Sequence, residues 1–445
     1  MSGGEPTLEG MVELVRAGRL DDFVRLAHDL EPVDLGDILA ALGDDERLEV
    51  VRRLPPSLSG EAMVEMPEEA HAEEMLAALD AETAADIVEE MEDDDAADLL
   101  GDMEPADQLR ILAAVEDRED VEHLLRYDEE SAGGLMTTQM VTVHDSSSSA
   151  DTLAAVRQQA EEVDDFHQVF VVDDQRRLVG ILSFKALVLA APDRLIREIM
   201  EEPEVTVLPT EDQEQVARLM ARYNVPAIGV VDPDGRLLGR ITFDDVTDVV
   251  EEEATEDLLR FGGVSADEEL AATWRGAVRS RLPWLFLNLV TAFLAASVVV
   301  FFEDTLTQLV SLAIFMPVIA GMGGNTGTQA LAVTIRRLAL GLIPARQRFQ
   351  VITKELLVGL TNGIAVAAVA GVVAVVAGLS PQFGLVVFLA MSGNLCVAGF
   401  AGAFIPILLS RVGIDPAIAS SVFVTTFTDM VGFALLLGLA GLLLL

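Results

Sequence analysis

The sequence predicts a multidomain membrane protein. Its parts are an all-α N-terminal superhelical domain, an α/β pair of duplicated units, a long connecting helix, and an α-helical transmembrane domain with five spans per subunit. Three observations carry this. Charge is segregated: of 74 acids and 29 bases, only 5 and 6 fall after residue 282, so the first 282 residues carry −46 and the remainder +1. An internal duplication occupies the middle of the chain, and long apolar runs fill its end. The expected boundaries are 1–10 disordered, 11–130 acidic helical domain, 131–199 and 200–248 the two units, 249–275 connecting helix and linker, and 276–445 transmembrane.

In the first domain apolar residues recur at helical spacing, as in Ile38-Leu39-Leu42 and Leu48-Val51-Leu54. Segments 79–88 and 91–100 resemble each other, and a period near 12 predicts stacked short helices. Acids before each apolar run fit helix caps and first turns. With lysine confined to Lys185 and Lys354, much of this acidity also fits a salt-adapted surface, so bulk charge alone does not identify cation ligands.

Residues 136–248 repeat themselves. Met136 with Val141-Thr142-Val143 matches Met200 with Val205-Thr206-Val207; Val171-Val172-Asp173 and Gly180-Ile181-Leu182-Ser183-Phe184 match Val230-Val231-Asp232 and Gly239-Arg240-Ile241-Thr242-Phe243. Each unit reads strand, helix, strand, turn, strand, helix. The pattern resembles a tandem pair of CBS (cystathionine-β-synthase-type) domains, which implies binding of adenine nucleotides or ions and regulation of an attached module. Thr242 and Asp245 fit the Thr-x-x-Asp pattern for ribose hydroxyls, so ATP is an expected regulatory ligand. The first unit, Ser183-Phe184-Lys185-Ala186, lacks that Asp. No phosphate loop is present, so hydrolysis is not expected.

A helix from about Asp244 to Phe261 follows, stopped by Gly262-Gly263. Its acids lie at spacings that repel, which a nearby cation or high salt would relieve.

Five spans are expected at 283–302, 306–325, 355–378, 383–409 and 417–443, each long enough for ~30 Å of hydrocarbon. Arg275, Arg279 and Arg281 precede the first; Arg336, Arg337, Arg346, Arg348 and Lys354 follow the second; Arg411 follows the fourth. This bias places the N-terminal and duplicated domains in the cytoplasm and the C-terminus outside, in an inner or plasma membrane, with no signal peptide. The setting expected is a prokaryote, salt-adapted if the acidity is adaptive.

Asp429 stands in an uncharged run. Near mid-bilayer a carboxylate costs roughly 2.5–3.5 kcal/mol on insertion scales, which marks it as functional. Ser421, Thr425 and Asp429 are spaced i, i+4, i+8 and share a helix face. Gly321 to Gln329 is glycine-rich, allowing close approach or a helix break, and Asn325, Thr326 and Gln329 add neutral oxygens. Asn394 and Ser420 fit interhelical hydrogen bonding. One Asp with hydroxyls and amides suits a hydrated Mg²⁺, which sheds water reluctantly. No His or Cys set suits zinc or copper, and the single Cys396 lies in a span.

Tyr127-Asp128-Glu129-Glu130-Ser131-Ala132-Gly133-Gly134-Leu135-Met136-Thr137, the tandem units, Gly323-Gly324-Asn325-Thr326-Gly327 and Thr426-Phe427-Thr428-Asp429 together resemble the MgtE family of magnesium channels. The resemblance runs from about residue 30 to the end. It implies a homodimer in a lipid bilayer, Asp429 as the pore carboxylate, and closure by cytosolic Mg²⁺ that draws acidic domains together. Sensor ligands implied are Asp94 and Asp98; Asp212 and Glu214; Asp245, Asp248, Glu253, Glu256 and Asp257 on or near the connecting ("plug") helix; and Asp415 between spans four and five. Asn224 stands where an acid would suit another bridge. Mn²⁺, Co²⁺ and Ni²⁺ remain alternatives to Mg²⁺. The competing functions are a coupled, for instance Na⁺-linked, divalent transporter, and a nucleotide or Mg²⁺ sensor without transport. Enzymatic activity and nucleic-acid binding are not expected.

Overall fold

In the computed structural model the described residues are 7–67, 70–116, 118–159, 163, 167–262, 264, 274–412, 414 and 416–445. The chain forms two compact units, Met1–Glu251 and Glu252–Leu445.

Among the described residues the first unit opens with ten short helices: α1 (Leu8–Arg16), α2 (Leu20–Ala27), α3 (Pro32–Ala40), α4 (Asp44–Val51), α5 (Pro56–Val64), α6 (Ala72–Ala77), α7 (Ala81–Val88), α8 (Asp93–Gly101), α9 (Pro105–Leu112) and α10 (Glu119–Leu124). Odd helices stack on odd ones from α1 to α9, and α4, α6, α8 and α10 stack likewise, giving a two-row superhelix. Proline opens α3, α5 and α9, where its missing N–H costs nothing and the residue before it stays extended. Asp80 caps α7, accepting from the Thr83 N–H at 3.1 Å. Phe23, Leu39, Leu76, Leu100 and Ile111 are fully buried in the seam. The disordered stretch expected over 1–10 ends too late: Thr7 caps α1, so residues 8–10 are helical.

The duplicated region forms two three-stranded sheets. The first comprises β1 (Thr142–His144), β2 (Gln168–Val172) and β3 (Leu178–Ser183), with α11 (Ser149–Gln159) and α12 (Phe184–Leu189). The second comprises β4 (Thr206–Val207), β5 (Ala227–Val231) and β6 (Leu237–Thr242), with α13 (Gln213–Tyr223) and α14 (Phe243–Phe261). In each sheet the first two strands are parallel and the last two antiparallel. The ladder is irregular at Val171/Val172 in one sheet and at Val230/Val231 in the other. Asp173 accepts from the amides of Gln175 and Arg177, and Asp232 from those of Asp234 and Arg236. The two turns then bond each other reciprocally, Leu178 N–H to Gly235 O and Leu237 N–H to Arg176 O, both 3.0 Å. A pseudo-two-fold pair results.

The second unit contains α15 (Trp274–Phe301), α16 (Glu303–Gln308), α17 (Leu312–Ala339), α18 (Arg348–Val376), α19 (Pro381–Arg411) and α20 (Pro416–Leu443). Among the described residues α15, α18, α19 and α20 are long and apolar enough to cross a membrane. The 28-residue α17 has the length, but Asn325, Thr326, Thr328 and Gln329 dilute its apolarity. Helix α19 is central, packing on α17, α18 and α20. It crosses α18 where Gly359 and Gly399 face each other, so close that a Cβ on either would strike backbone.

Three expectations are corrected. The second span starts at Leu312 rather than 306, because Leu309, outside helical geometry, separates α16 from α17. It runs on to Ala339 rather than ending at 325; of the two roles open to its glycines, Gly323 and Gly327 take close approach, and the helix does not break. Finally, Arg275, Arg279, Arg281, Arg336 and Arg337 lie within helix ends rather than loops, where long side chains can still reach water.

Candidate functional site

Two N-terminal helix turns, those of α8 and α14, supply acids to one cavity in the first unit. The cavity has a volume of about 980 Å³. Helix α8 begins Asp93-Asp94-Asp95 after Glu92, and α14 contributes Asp244, Asp245 and Asp248. Asp93 does not line the cavity; Glu92, Asp94, Asp95, Asp244, Asp245 and Asp248 do, and Glu61, Glu65 and Glu90 complete nine lining carboxylates, against one arginine, Arg240, and His167. The positive ends of the helix dipoles favour Asp94 and Asp95 on α8 and Asp244 and Asp245 on α14, whereas Glu65 and Glu90 lie at the C-terminal ends of α5 and α7, which disfavour acids.

The electrostatic result is visible group by group. Burial first, then Asp95, Asp245, Asp93 and Glu92, holds the Asp94 carboxyl well above its ordinary range. Asp95 is pushed up to about 7, by burial and then by Glu92 and Asp245. Burial also raises Glu92, Asp245 and Asp248; Arg240 counters it at Glu92, and Thr242 counters it at Asp245. Asp98 is raised by burial and then Glu129 and Asp95. Its side chain nonetheless remains open to solvent, so screening tempers that shift. Asp94 Oδ1 is buried without a hydrogen-bond partner. Among the described residues no three His, Cys, Asp or Glu side chains converge on a single ion position.

The other expected sensor residues have local occupations. Asp212 caps α13, accepting from the Glu214 N–H at 3.0 Å, and Glu214 pairs with Arg218 at 3.0 Å. Glu256 pairs with Arg260, while Glu253 and Asp257 are half-buried on α14. Asp415 lies outside the described residues. Asn224 lines the cavity and ends α13 with φ +54°, a left-handed position that asparagine tolerates. Thr242 donates N–H and hydroxyl to Asp245 Oδ2, so the two expected ribose partners satisfy each other.

In the second unit the polar residues divide into two classes. Asn394 is fully buried and donates to Ile319 O at 3.0 Å, an interhelical bond between α19 and α17. Thr428 is fully buried and bonds Thr425 O. By contrast Asn325, Gln329 and Thr425 are exposed, and Thr326, Ser421 and Asp429 half-exposed. The faces that carry the polar stripes are therefore those this subunit leaves uncovered. Helices α17 and α20 meet where Gly323 and Gly327 lie against Thr428 and Val424. The last residue of α14, Phe261, packs with Leu331, Ile335, Val424 and Ile405.

The sequence reading missed Glu61, Glu65, Glu90, Glu92, Asp95 and Asp244. The consecutive Asp93-Asp94-Asp95 was a usable signal for Asp95; nothing local marked the glutamates.

The profile of the MgtE family, described as a divalent cation transporter, matches residues 316–439; the MgtE intracellular N domain matches 30–130, and CBS domains match 132–193 and 196–252. "Magnesium transporter MgtE" of Thermus thermophilus is 38% identical over 74% of this chain and 73% of its own length. This chain belongs to the MgtE family. The Enterococcus faecalis protein of the same name is 34% identical over 74% of this chain and 72% of its own. Among solved structures, the soluble part of a magnesium transporter matches with TM-score 0.52 at 28% identity, covering 56% of this chain and 98% of that one. The cytosolic domain of the Mg²⁺ channel MgtE, solved with ATP, matches with TM-score 0.52 at 33% identity, covering 54% and 99%. As an MgtE member the chain is a membrane transport protein with an α-helical N domain and a CBS pair.

Proposed function

We propose that two copies of this chain form a channel that passes hydrated Mg²⁺ into the cytoplasm, driven by the membrane potential, and that Mg²⁺ binding to the N and CBS domains closes it. The observation that carries the pore is the half-exposed Asp429 in line with exposed Thr425 and half-exposed Ser421, on a face of α20 that its own subunit does not cover. Polar groups on such a face are costly against lipid and are relieved by facing a water-filled axis with a second copy. One carboxylate per subunit with hydroxyls and amides beside it suits an ion that keeps its waters. Mn²⁺, Co²⁺ and Ni²⁺ share that chemistry and are expected competitors.

The acidic cavity supports the closing step. Its carboxylates repel one another when empty and attract through a cation, so Mg²⁺ favours the arrangement that gathers them. Asp94, Asp95, Asp245 and Asp248 are its main ligands in this reading, with Asp98 at its margin. Helix α14 supplies three of the cavity's acids and is the segment through which the chain continues from the CBS pair toward the transmembrane helices. Asp212, Glu214, Glu253, Glu256, Asp257 and Asp415 are assigned to further Mg²⁺ contacts made in the dimer. The N and CBS domains are cytoplasmic and the C-terminus outside, following the arginine bias.

ATP fits this cavity poorly. A related cytosolic domain was solved with ATP, but here Thr242 and Asp245 engage each other, and nine carboxylates face the single Arg240.

The test is Mg²⁺ flux into proteoliposomes under an imposed potential, wild type against Asp429→Ala, with cytosolic-side Mg²⁺ varied. Potential-driven flux lost in the variant, and shut off by cytosolic-side Mg²⁺ in wild type, is the expected result. Flux that persists in Asp429→Ala removes that residue from the pore; flux that requires a Na⁺ gradient makes the protein a coupled transporter.

A further inference from the structure

The acidic cavity is larger and differently lined than a metal site requires. At about 980 Å³ it lies in the size range of small-molecule pockets, about 300–1,000 Å³. Its carboxylates are distributed: among the described residues no three converge on one ion position. Between them lie apolar surfaces from Met91, Phe170, Met220, Val225 and Phe243. Asp94, only 7% exposed, lines the cavity, and its buried Oδ1 has no hydrogen-bond partner within the protein.

A ligand that meets all four features carries several positive charges, spaced apart, joined by apolar links, with N–H groups to donate. We propose that this cavity binds a linear polyamine, an organic polycation with ammonium groups separated by methylene chains, in competition with Mg²⁺. Ammonium groups make charge-assisted hydrogen bonds to the separated carboxylates, one of them to Asp94. The methylene links lie on the methionine and phenylalanine surfaces, as lysine stems do on apolar patches. Among the described residues no single ion position gathers three of the carboxylates, whereas a chain of ammonium groups meets them one by one. The inference rests on assigning the cavity as a cation sensor, and it adds a second ligand class to that sensor.

The experiment is calorimetric titration of spermidine into the full-length, EDTA-stripped protein in detergent at fixed ionic strength. Wild type is compared with Asp94→Asn, which removes one charge, and Ala221→Phe, which keeps every carboxylate but fills space from α13. Saturable binding is expected, weakened at least tenfold in each variant and displaced by Mg²⁺, with no binding of butylamine. Absence of saturable binding, wild-type affinity in both variants, or equal binding of butylamine overturns the proposal. Thermal melts check that both variants fold; if Ala221→Phe does not, Asp94→Asn and the butylamine comparison decide. Mg²⁺ closure measured in parallel separates the two assignments: closure intact without spermidine binding sinks only the polyamine proposal, and spermidine binding without closure sinks only the Mg²⁺ sensor.

Discussion

Asp93 of α8 binds the main chain at Thr138: both of its carboxylate oxygens accept from the Thr138 N–H, at 3.1 and 3.0 Å. The hydroxyls of Thr137 and Thr138 donate to the same carboxylate. The three consecutive acids thus divide their work. Asp93 is buried and fully engaged in tying the helical domain to the start of the CBS pair, while Asp94 and Asp95 face the cavity. A hydrogen bond to a charged group contributes about 1.5–3 kcal/mol. Asp93→Ala should therefore lower the melting temperature of the full-length protein in Mg²⁺-free buffer. Asp94→Asn, which removes repulsion, should leave it unchanged or raise it. Equal losses in the two variants would show that the division does not exist.

The raised carboxyls give a pH dependence with a definite sign. An unfolded Asp titrates near ~3.9, whereas Asp95 in the folded protein sits at about 7 and Asp94 well above its ordinary value. Between these limits the folded Mg²⁺-free protein binds more protons than the unfolded chain. Its stability is fully present below the unfolded pKa and is lost as pH rises through the folded one. Melts of Mg²⁺-free wild type should therefore fall from pH 5 to 8 more steeply than those of the double variant Asp94→Asn/Asp95→Asn. In the proposed closing step Mg²⁺ binds the ionised form, so its stabilising effect should grow over the same interval. Parallel pH profiles for wild type and the double variant would remove these two groups from the linkage.

How much of this was legible depended on how local the signal was. The 12-residue period, the duplicated strands around Val171 and Val230, and the i, i+4, i+8 face of Ser421, Thr425 and Asp429 are properties of adjacent residues, and the structure carries each of them. The cavity was legible only in part. Asp94, Asp245 and Asp248 stand out as placed acids, but Glu61, Glu65 and Glu90 look like the solvated acids that cover the rest of the domain until folding brings them to one space. Asp93 was illegible because its partners are 44 and 45 residues away. Asn224, read as standing where an acid would suit another bridge, does line the cavity, and its left-handed backbone angle is a second reason for asparagine that composition does not display.

The glycines of α17 differ in what they do, and substitution should separate them. A Cβ on Gly323 would collide with the Asn394 amide that bonds Ile319 O, whereas Gly324 has open space around it. Overpacking a close contact costs about 1–3 kcal/mol. Gly323→Ala should lower the melting temperature of the detergent-solubilised protein, and Gly324→Ala should not. If both are tolerated alike, the Asn394 contact does not hold α17 against α19.

The pore assignment requires the uncovered face of α20 to meet its symmetry mate, and this can be tested without measuring flux. Thr425 is exposed in the single subunit, and its neighbours Phe423 and Phe427 are 45% and 43% exposed. On α18, Val369 is also open, at 66%, but lies among apolar residues suited to lipid. An axis running along the α20 face brings the two copies of Thr425 close together and leaves the two copies of Val369 far apart. In a Cys396→Ala background, Thr425→Cys should form a disulfide-linked dimer under mild oxidation in membranes, and Val369→Cys should not. Mg²⁺ should increase the Thr425→Cys yield, since closure narrows the axis. Cross-linking at Val369 with none at Thr425 would put the dimer contact on α18, and Asp429 would then face lipid or a cavity within one subunit instead of a shared pore.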